Sequence, residues 1–170
     1  VHKAWREDIA EWKARYAEES KRSEKSPFIS PRDVIENIYR ATNGSAVIVT
    51  DVGQHQMWTA QYADFESNRT FVSSGGLGTM GFGLGAAIGA RVATGDATVL
   101  ITGDGSFGMN LNELATAVST NAPVKVVIFN NGVLGMVRQW QTLFYQKHYS
   151  NTTLNRKTDF VKLADAFGLI

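Results

Sequence analysis

The 170-residue chain contains no cysteine, only three prolines and no long apolar run. Without cysteine it can form neither a disulfide framework nor a thiolate metal site, and its composition fits a reducing compartment. Its apolar runs fall far short of the roughly 20 residues that a membrane-spanning helix requires. The charged start, Val1–Asp8, is unlike a signal peptide. These absences predict a soluble protein that is cytoplasmic, or organellar in a eukaryote, and has no membrane partner.

The sequence also lacks an excess of charge of either sign. It has 17 Lys and Arg residues against 16 Asp and Glu residues, a formal net charge of +1. This balance gives no electrostatic attraction to nucleic acid, so we expect no nucleic-acid partner. The apolar residues, 44% of the total, suffice for one substantial core. We therefore expect a single globular domain.

The start of the chain predicts a helix that precedes this domain. Its apolar residues recur at helical spacing, which places them on one face: Trp5, Ile9, Trp12 and Tyr16. The polar stretch 20–27 ends at a proline and reads as a linker. We therefore assign residues 1–27 to a helix and linker from a preceding domain. Residues 28–170 form the domain proper, which we expect to be incomplete at its C-terminus.

Short apolar strands then alternate with helical segments. After a helix that opens at Ser30-Pro31, the strands are predicted at 46–50, 71–73, 98–102 and 124–129. The helices between and after them are predicted at 54–64, 81–93, 111–120, 134–147 and 159–167. This alternation predicts the α/β class, with a doubly wound parallel sheet flanked by helices. Ligands of such sheets bind at the carboxyl ends of the strands.

Two of the strand ends carry oxygen ligands suited to a metal ion. Asp104 follows one strand between two glycines, and Asn131 follows the next strand 27 residues later, about one βαβ unit. A carboxylate, an amide oxygen and a backbone carbonyl of the Asn131–Val133 loop form the hard donor set that Mg²⁺ prefers, with phosphates completing its shell. Gly103 and Gly105 would then let the backbone approach the phosphate oxygens, and Ser106 with the helix beyond it could present N–H groups to a phosphate. The sequence therefore predicts a magnesium diphosphate site.

A second glycine motif leaves an alternative open. The segment Gly76–Gly81 matches G-x-G-x-x-G after a short strand, and Asp104 lies on a strand end beyond it, so a Rossmann site for NAD or FAD competes with the diphosphate site. The further glycines at positions 83, 85 and 89 are expected to pack closely against the sheet.

Four motifs together carry a family resemblance. Gly103-Asp104-Gly105 followed by Asn130-Asn131 resembles the bipartite diphosphate motif of thiamin diphosphate enzymes. Asp51-Val-Gly-Gln-His-Gln-Met-Trp58, Ser74-Gly-Gly-Leu-Gly-Thr-Met-Gly-Phe-Gly83 and Gly135-Met-Val-Arg-Gln-Trp-Gln141 resemble the acetohydroxyacid synthase (acetolactate synthase) catalytic subunit. The likeness is to the C-terminal thiamin diphosphate-binding domain of that family and covers essentially all of residues 28–170.

The resemblance implies roles for individual residues. The magnesium ligands would be Asp104, Asn131 and the Val133 carbonyl. The cofactor-binding set would be Gly53, Gln54, His55, Gly78, Met80, Gly103, Asp104, Gly105, Ser106, Met109, Asn131, Val133, Leu134, Gly135 and Met136. Met80 would also act in catalysis, as the apolar wedge that bends the cofactor so that its two rings meet.

Trp140 is the second residue expected to act in catalysis. It lies four residues after Met136 on the predicted helix, so the two share one face. The resemblance implies that Trp140 forms an apolar wall for the second substrate. The alternative is a core tryptophan, but we expect Val137, Leu143 and Phe144 to supply the inward-facing apolar residues of that helix.

The implied activity is decarboxylation of pyruvate and condensation with a second 2-ketoacid. The products would be acetolactate or acetohydroxybutyrate, in branched-chain amino acid biosynthesis. The expected partners are 2-ketoacid substrates, the N-terminal pyrimidine-binding domain of a second subunit in a homo-oligomer, and a regulatory subunit. FAD is expected only in the full-length enzyme, and this chain alone should be inactive because the activating glutamate lies in an absent domain.

Two alternatives to this activity stay open. One is another thiamin diphosphate carboligase or decarboxylase. The other is a non-catalytic module that binds a diphosphate. The sequence also leaves open whether the chain is a fragment or a separate subunit.

Overall fold

A computed structural model describes residues 2–21, 27–65 and 70–169, with side chains of 17–21 excepted. The strands are β1 (Val47–Thr50), β2 (Phe71–Ser73), β3 (Thr98–Gly103) and β4 (Val124–Phe129). The helices are α1 (Lys3–Lys21), α2 (Pro31–Thr42), α3 (Gln54–Tyr62), α4 (Phe82–Thr94), α5 (Asp104–Asn110), α6 (Leu114–Ser119), α7 (Gly135–Phe144) and α8 (Phe160–Ala166). A 3₁₀ turn at Leu111–Glu113 joins α5 to α6.

The four strands form one parallel sheet in the order β2-β1-β3-β4. This confirms the predicted α/β class. The strand order reverses between β1 and β3, because the chain moves from β1 to one edge and then returns to the other side of it. Ligand crevices of parallel sheets open at such a point, outside the carboxyl ends of the strands.

Each face of the sheet is covered by its own apolar cluster. On one face, Leu84 of α4 and Phe107 of α5 pack with Leu100 of β3. On the other, Ile35 of α2 packs with Ile101 of β3. Because both faces are buried, the central strands are apolar throughout rather than alternating. The prediction from strand composition is thus confirmed.

The helix after β3 begins earlier than predicted. The sequence analysis expected a loop at Asp104 and a helix over 111–120, but α5 starts at Asp104 itself and the later helix begins at Leu114. Gly105 and Gly108 lower the helix propensity of this stretch, so residue propensities alone do not predict α5. Tertiary packing supplies what propensity lacks, since Phe107 is buried against the sheet.

The helix α7 also differs from expectation. It ends at Phe144 rather than at 147. Its predicted inward stripe is wrong, because Val137, Leu143 and Phe144 are 48%, 64% and 65% exposed. No residue of α7 is buried. Helical periodicity identified an apolar face, but it could not say which surface that face meets.

The first helix carries its aromatic face largely uncovered. Trp5 and Trp12 meet edge to face with ring centroids 5.4 Å apart. The Tyr16 hydroxyl donates to the Tyr62 hydroxyl of α3 at 3.3 Å. The helix runs to Lys21, so the start of the predicted linker is helical, and its continuation at 22–26 lies outside the described residues. Within the described ranges, no helix combines the length and apolarity needed to cross a membrane.

Candidate cofactor site

A crevice of about 140 Å³ opens at the carboxyl edge of the sheet. The loops after β1 and β4, the first turn of α5 and the loop before α4 all contribute to its walls. It is lined by Val52, Gly53, Gln54, His55, Trp58, Gly78, Met80, Gly103, Asp104, Gly105, Ser106, Phe129, Asn131, Val133, Leu134, Gly135, Met136 and Val137.

Most of the residues named from the sequence therefore line one cavity. Met109 and Trp140 do not. Met109 is 56% exposed on α5, and Trp140 is 57% exposed and lies 5.0 Å from the Phe144 ring. The exposure of Trp140 rules out the core alternative within this chain. The sequence analysis assigned no role to four apolar members of the lining, although three of them lie within the motifs that carry the family resemblance: Val52, Trp58, Phe129 and Val137.

Asp104 is buried at the first turn of α5 and reaches across to the loop after β4. Its Oδ2 accepts a hydrogen bond from the N–H of Gly132 at 2.9 Å. In the same loop, the Asn131 Oδ1 accepts from the N–H of Val133 at 3.1 Å. Among the described residues no cluster of three His, Cys, Asp or Glu side chains exists. A cation bound here would therefore meet one carboxylate and neutral oxygens, a donor set that suits Mg²⁺ sharing its shell with phosphates.

The floor of the crevice depends on a glycine. A Cβ added to Gly105 would lie 2.9 Å from Cδ2 of Leu134 and 3.6 Å from Cε of Met80. The Leu134 side chain can thus approach the start of α5 this closely only because position 105 has no side chain, whereas the Met80 distance is an ordinary van der Waals contact. Ser106 beside it donates its hydroxyl to the carbonyl oxygen of Val52 at 2.7 Å, so this hydroxyl already has a protein partner.

His55 is a buried polar residue in the lining of the crevice. It is only 5% exposed, and its Nε2 is buried without a hydrogen-bond partner. Burial lowers the pKa of His55 to about 4, against the opposing effect of a hydrogen bond to the Asp51 backbone. The imidazole is therefore neutral at pH 7. A buried polar atom without a partner carries a cost that a polar ligand would relieve, so its position fits a phosphorylated cofactor.

The lowered pKa of His55 predicts a loss of folding stability in acid. At a pH above 6.5, the pKa of His55 in the unfolded chain, the group does not lower the free energy of unfolding. The loss grows as the pH falls and reaches its full value of about 3 kcal/mol below a pH of about 4. We expect urea unfolding to show a decrease of about 2 kcal/mol between pH 7.5 and pH 5.

The variant His55→Gln isolates this effect, because it should lack that part of the pH dependence. Burial raises the pKa of Asp51, which acts in the opposite sense, and both proteins retain it. An identical pH profile in the two proteins would contradict the assignment to His55.

Asp51 is a buried carboxylate that the sequence reasoning did not assign. Its Oδ1 accepts from the N–H groups of Gly81 at 2.8 Å and Val52 at 3.0 Å. Its Oδ2 accepts from the Thr102 hydroxyl at 3.4 Å. Asp51 thus joins the end of β1 to the loop that carries Met80. A charged residue ending an apolar strand was the available signal, but its partners are too distant in sequence to be inferred.

The doubly wound parallel sheet and this crevice define an α/β domain with a ligand-binding crevice at the carboxyl edge of its sheet. Residues 51–170 match the family model described as thiamine pyrophosphate enzyme, C-terminal TPP binding domain. The chain belongs to this family. Thiamine pyrophosphate is the compound called thiamin diphosphate above.

Curated relatives resemble nearly the whole chain. It is 45% identical over 166 residues to the acetolactate synthase large subunit of Haemophilus influenzae, covering 97% of this chain and 29% of that protein. Against the isozyme 3 large subunit of Escherichia coli the identity is 47% over 165 residues, covering 96% and 28%. The mitochondrial catalytic subunit of Saccharomyces cerevisiae is 46% identical over 170 residues, covering 97% and 24%. The chain therefore spans less than a third of the length of these relatives.

Proposed function

We propose that the protein containing this chain forms acetolactate from pyruvate with thiamin diphosphate and Mg²⁺. The observation that carries the proposal is the buried carboxylate of Asp104, which meets the Asn131–Val133 loop inside the crevice of a thiamine pyrophosphate family domain. The names of the relatives, all acetolactate synthases, support this activity over other carboligases and over a non-catalytic module.

The residues of the crevice suit the two ends of the cofactor. Asp104, the Asn131 side chain and the Val133 carbonyl are proposed to hold Mg²⁺ against the diphosphate. The neutral His55 and the side chain of Gln54, which donates to Gln139 at 2.9 Å, would lie beside the phosphate oxygens. The remaining members of this wall, Gly53, Gly103, Gly105, Ser106, Leu134 and Gly135, would surround the diphosphate.

The opposite wall is proposed to position the rings of the cofactor. Met80 would press the cofactor into a bent shape, while the carbonyls of Gly78 and Met80 and the Met136 side chain would line the rings. When bound, thiamin diphosphate supplies the electron sink that allows a 2-ketoacid to lose carbon dioxide. The apolar lining residues Trp58, Phe129 and Val137 would help to exclude water from the crevice. Met109 lies outside it and receives no role.

The dinucleotide alternative has little support in the geometry. Of the G-x-G-x-x-G segment, only Gly78 and Met80 line the crevice, and Gly76 is exposed. Asp104, which would have to bind a ribose, is directed to Gly132 of the loop after β4 instead. The diphosphate assignment explains why Asp104 and the loop after β4 lie together, and the dinucleotide assignment does not.

The finer parts of the proposal concern substrates and partners. We propose that pyruvate and 2-ketobutyrate are substrates, that the products enter branched-chain amino acid biosynthesis, and that a second subunit supplies a pyrimidine-binding domain. FAD and a regulatory subunit would belong to the complete protein.

We propose that the exposed Trp140 side chain forms an apolar wall of the pocket for the second substrate. An apolar pocket discriminates between two 2-ketoacids that differ by one methylene by about 10- to 200-fold in kcat/KM. Trp140→Leu in the complete protein should lower the ratio of acetohydroxybutyrate to acetolactate, measured with both ketoacids at equal concentration. An unchanged ratio would contradict this role.

A turnover assay tests the activity itself. The complete protein should form acetolactate from pyruvate only when thiamin diphosphate and Mg²⁺ are both present, whereas residues 1–170 alone should form none, because the activating glutamate is expected from another domain. Product that forms without thiamin diphosphate, or a complete protein that binds the cofactor and forms no acetolactate, would overturn the proposal.

A further inference from the structure

A short segment after α7 is paired with the loop that carries the proposed metal ligands. Residues 150–154 run antiparallel to this loop. The N–H of Leu134 donates to the carbonyl oxygen of Thr152 at 2.8 Å, and the N–H of Leu154 donates to that of Gly132 at 2.7 Å. These bonds lie on either side of an isolated antiparallel bridge. The loop after β4 is therefore held by a segment about 20 residues further along the chain.

One side chain of α7 binds the segment 150–154 at three points. The Oε1 of Gln141 accepts from the N–H of Ser150 at 3.2 Å and from the Thr152 hydroxyl at 3.4 Å. Its Nε2 donates to the carbonyl oxygen of Ser150 at 3.0 Å. Thr152 is buried to 2% exposure. Since α7 has no buried residue, polar contacts of this kind fix how the helix and the segment sit together.

The same segment also reaches the floor of the crevice. A Cβ on Gly105 would lie 3.3 Å from Cδ1 of Leu154, so this leucine packs at the start of α5, beside Asp104. The segment 150–154 thus contacts both chain sections from which the proposed metal ligands come. A displacement of the segment would change the spacing of those ligands.

We propose that Gln141 is a positioning residue for the magnesium site. It holds the segment 150–154 against the loop after β4, and the segment in turn fixes the Asn131 and Val133 oxygens relative to Asp104. Gln141 itself does not line the crevice. This inference rests on the proposed function, because it concerns the magnesium site of that function.

The variant Gln141→Ala in the complete protein tests the proposal. Alanine is a favourable helix residue, so α7 itself should persist. Hydrogen–deuterium exchange of the Leu134 and Leu154 amides should accelerate about tenfold without added ligand, since their bonds to the segment open more often. The Mg²⁺ concentration for half-maximal binding of thiamin diphosphate should rise about tenfold, while exchange of the Leu100 amide in β3 stays slow.

Tyr149→Phe is the matched control. It removes a hydroxyl that lies 3.2 Å from the hydroxyl of Thr142 on α7. It keeps the aromatic ring, which lies 3.9 Å from the Arg138 guanidinium. We expect it to change neither the exchange rates nor the Mg²⁺ dependence. If both variants change the exchange rates and the Mg²⁺ dependence equally, Gln141 has only a general structural role and the proposal is wrong.

The remaining outcomes separate the two proposals. If the wild-type protein does not bind thiamin diphosphate with Mg²⁺, the proposed function fails and this inference fails with it. If it binds, and Gln141→Ala leaves the two amides protected, Gln141 does not hold the segment. If exchange accelerates while the Mg²⁺ dependence stays the same, the segment does not position the metal ligands.

Discussion

Replacing Asp104 with asparagine is expected to weaken thiamin diphosphate binding in the presence of Mg²⁺ by about 100-fold or more. Outer-shell partners of a bound metal are already worth about 10- to 100-fold, and Asp104 is proposed as a direct ligand and the sole carboxylate of the set. Asparagine has nearly the same shape, and its Oδ1 can still accept the hydrogen bond from Gly132. The substitution therefore removes the charge and leaves the loop contact. Calorimetry with and without EDTA measures the effect.

Asp96→Asn provides the matched control for the loss of one negative charge. Asp96 is exposed and lies just before β3, whereas Asp104 lies just after it. We expect the control to bind the cofactor like the wild-type protein. The Asp104→Asn protein should also behave as wild type in EDTA, where no metal contributes. Cofactor affinity that is unchanged in Mg²⁺ would rule out Asp104 as a ligand, and tight binding of NAD would favour a dinucleotide site.

The part of the fold that sequence predicted best is the sheet, whose central strands β1 and β3 are buried on both faces. The strands β1, β3 and β4 fall within a residue of the predicted ranges, because runs of mostly β-branched and apolar residues favour strands covered by helices. Parallel pairing then follows from the alternation with helices. It also brings Asp104 and Asn131 to adjacent strand ends, since Gly103 pairs with Phe129 in the register of β3 and β4.

The features that sequence did not predict depend on surfaces or on distant contacts. The glycines at 83, 85 and 89 look alike in sequence, but only Gly83 is crowded, with Leu100 Cδ1 2.7 Å and Asp51 Cβ 3.0 Å from the place of its Cβ. Positions 85 and 89 face open space. A helical face can be recognised by its period, but its distance from the sheet depends on residues elsewhere in the chain.

The contacts of the segment 150–154 could not be inferred for a similar reason. Four of its five residues are polar, they form no motif, and they follow a turn in which Gln146 and Lys147 have positive φ angles of 49° and 64°. Only the folded structure shows that this turn returns the chain to the loop after β4. The residue types of a site can thus be recognised from sequence, whereas the groups that hold them in place require the structure.

Replacing Asp51 with alanine is expected to lower the free energy of unfolding by about 2–5 kcal/mol. The substitution removes the acceptor of the part-buried Gly81 and Val52 N–H groups, and a donor left without a partner costs about 1–3 kcal/mol when it is shielded from water. For a protein of this size, that loss corresponds to a fall in Tm of about 5–15 °C. Thermal unfolding followed by circular dichroism measures it.

Asp51→Asn separates the hydrogen bonds from the charge. Its Oδ1 can still accept from both N–H groups, and its amide can donate to the Thr102 hydroxyl, which itself donates to the Gly103 carbonyl. Burial raises the pKa of the Asp51 carboxyl, which means that the buried charge is unfavourable. Its removal should therefore leave stability at pH 7 within about 1 kcal/mol of the wild type. If the asparagine variant is as unstable as the alanine variant, the charge rather than the acceptor geometry holds the Met80 loop on β1.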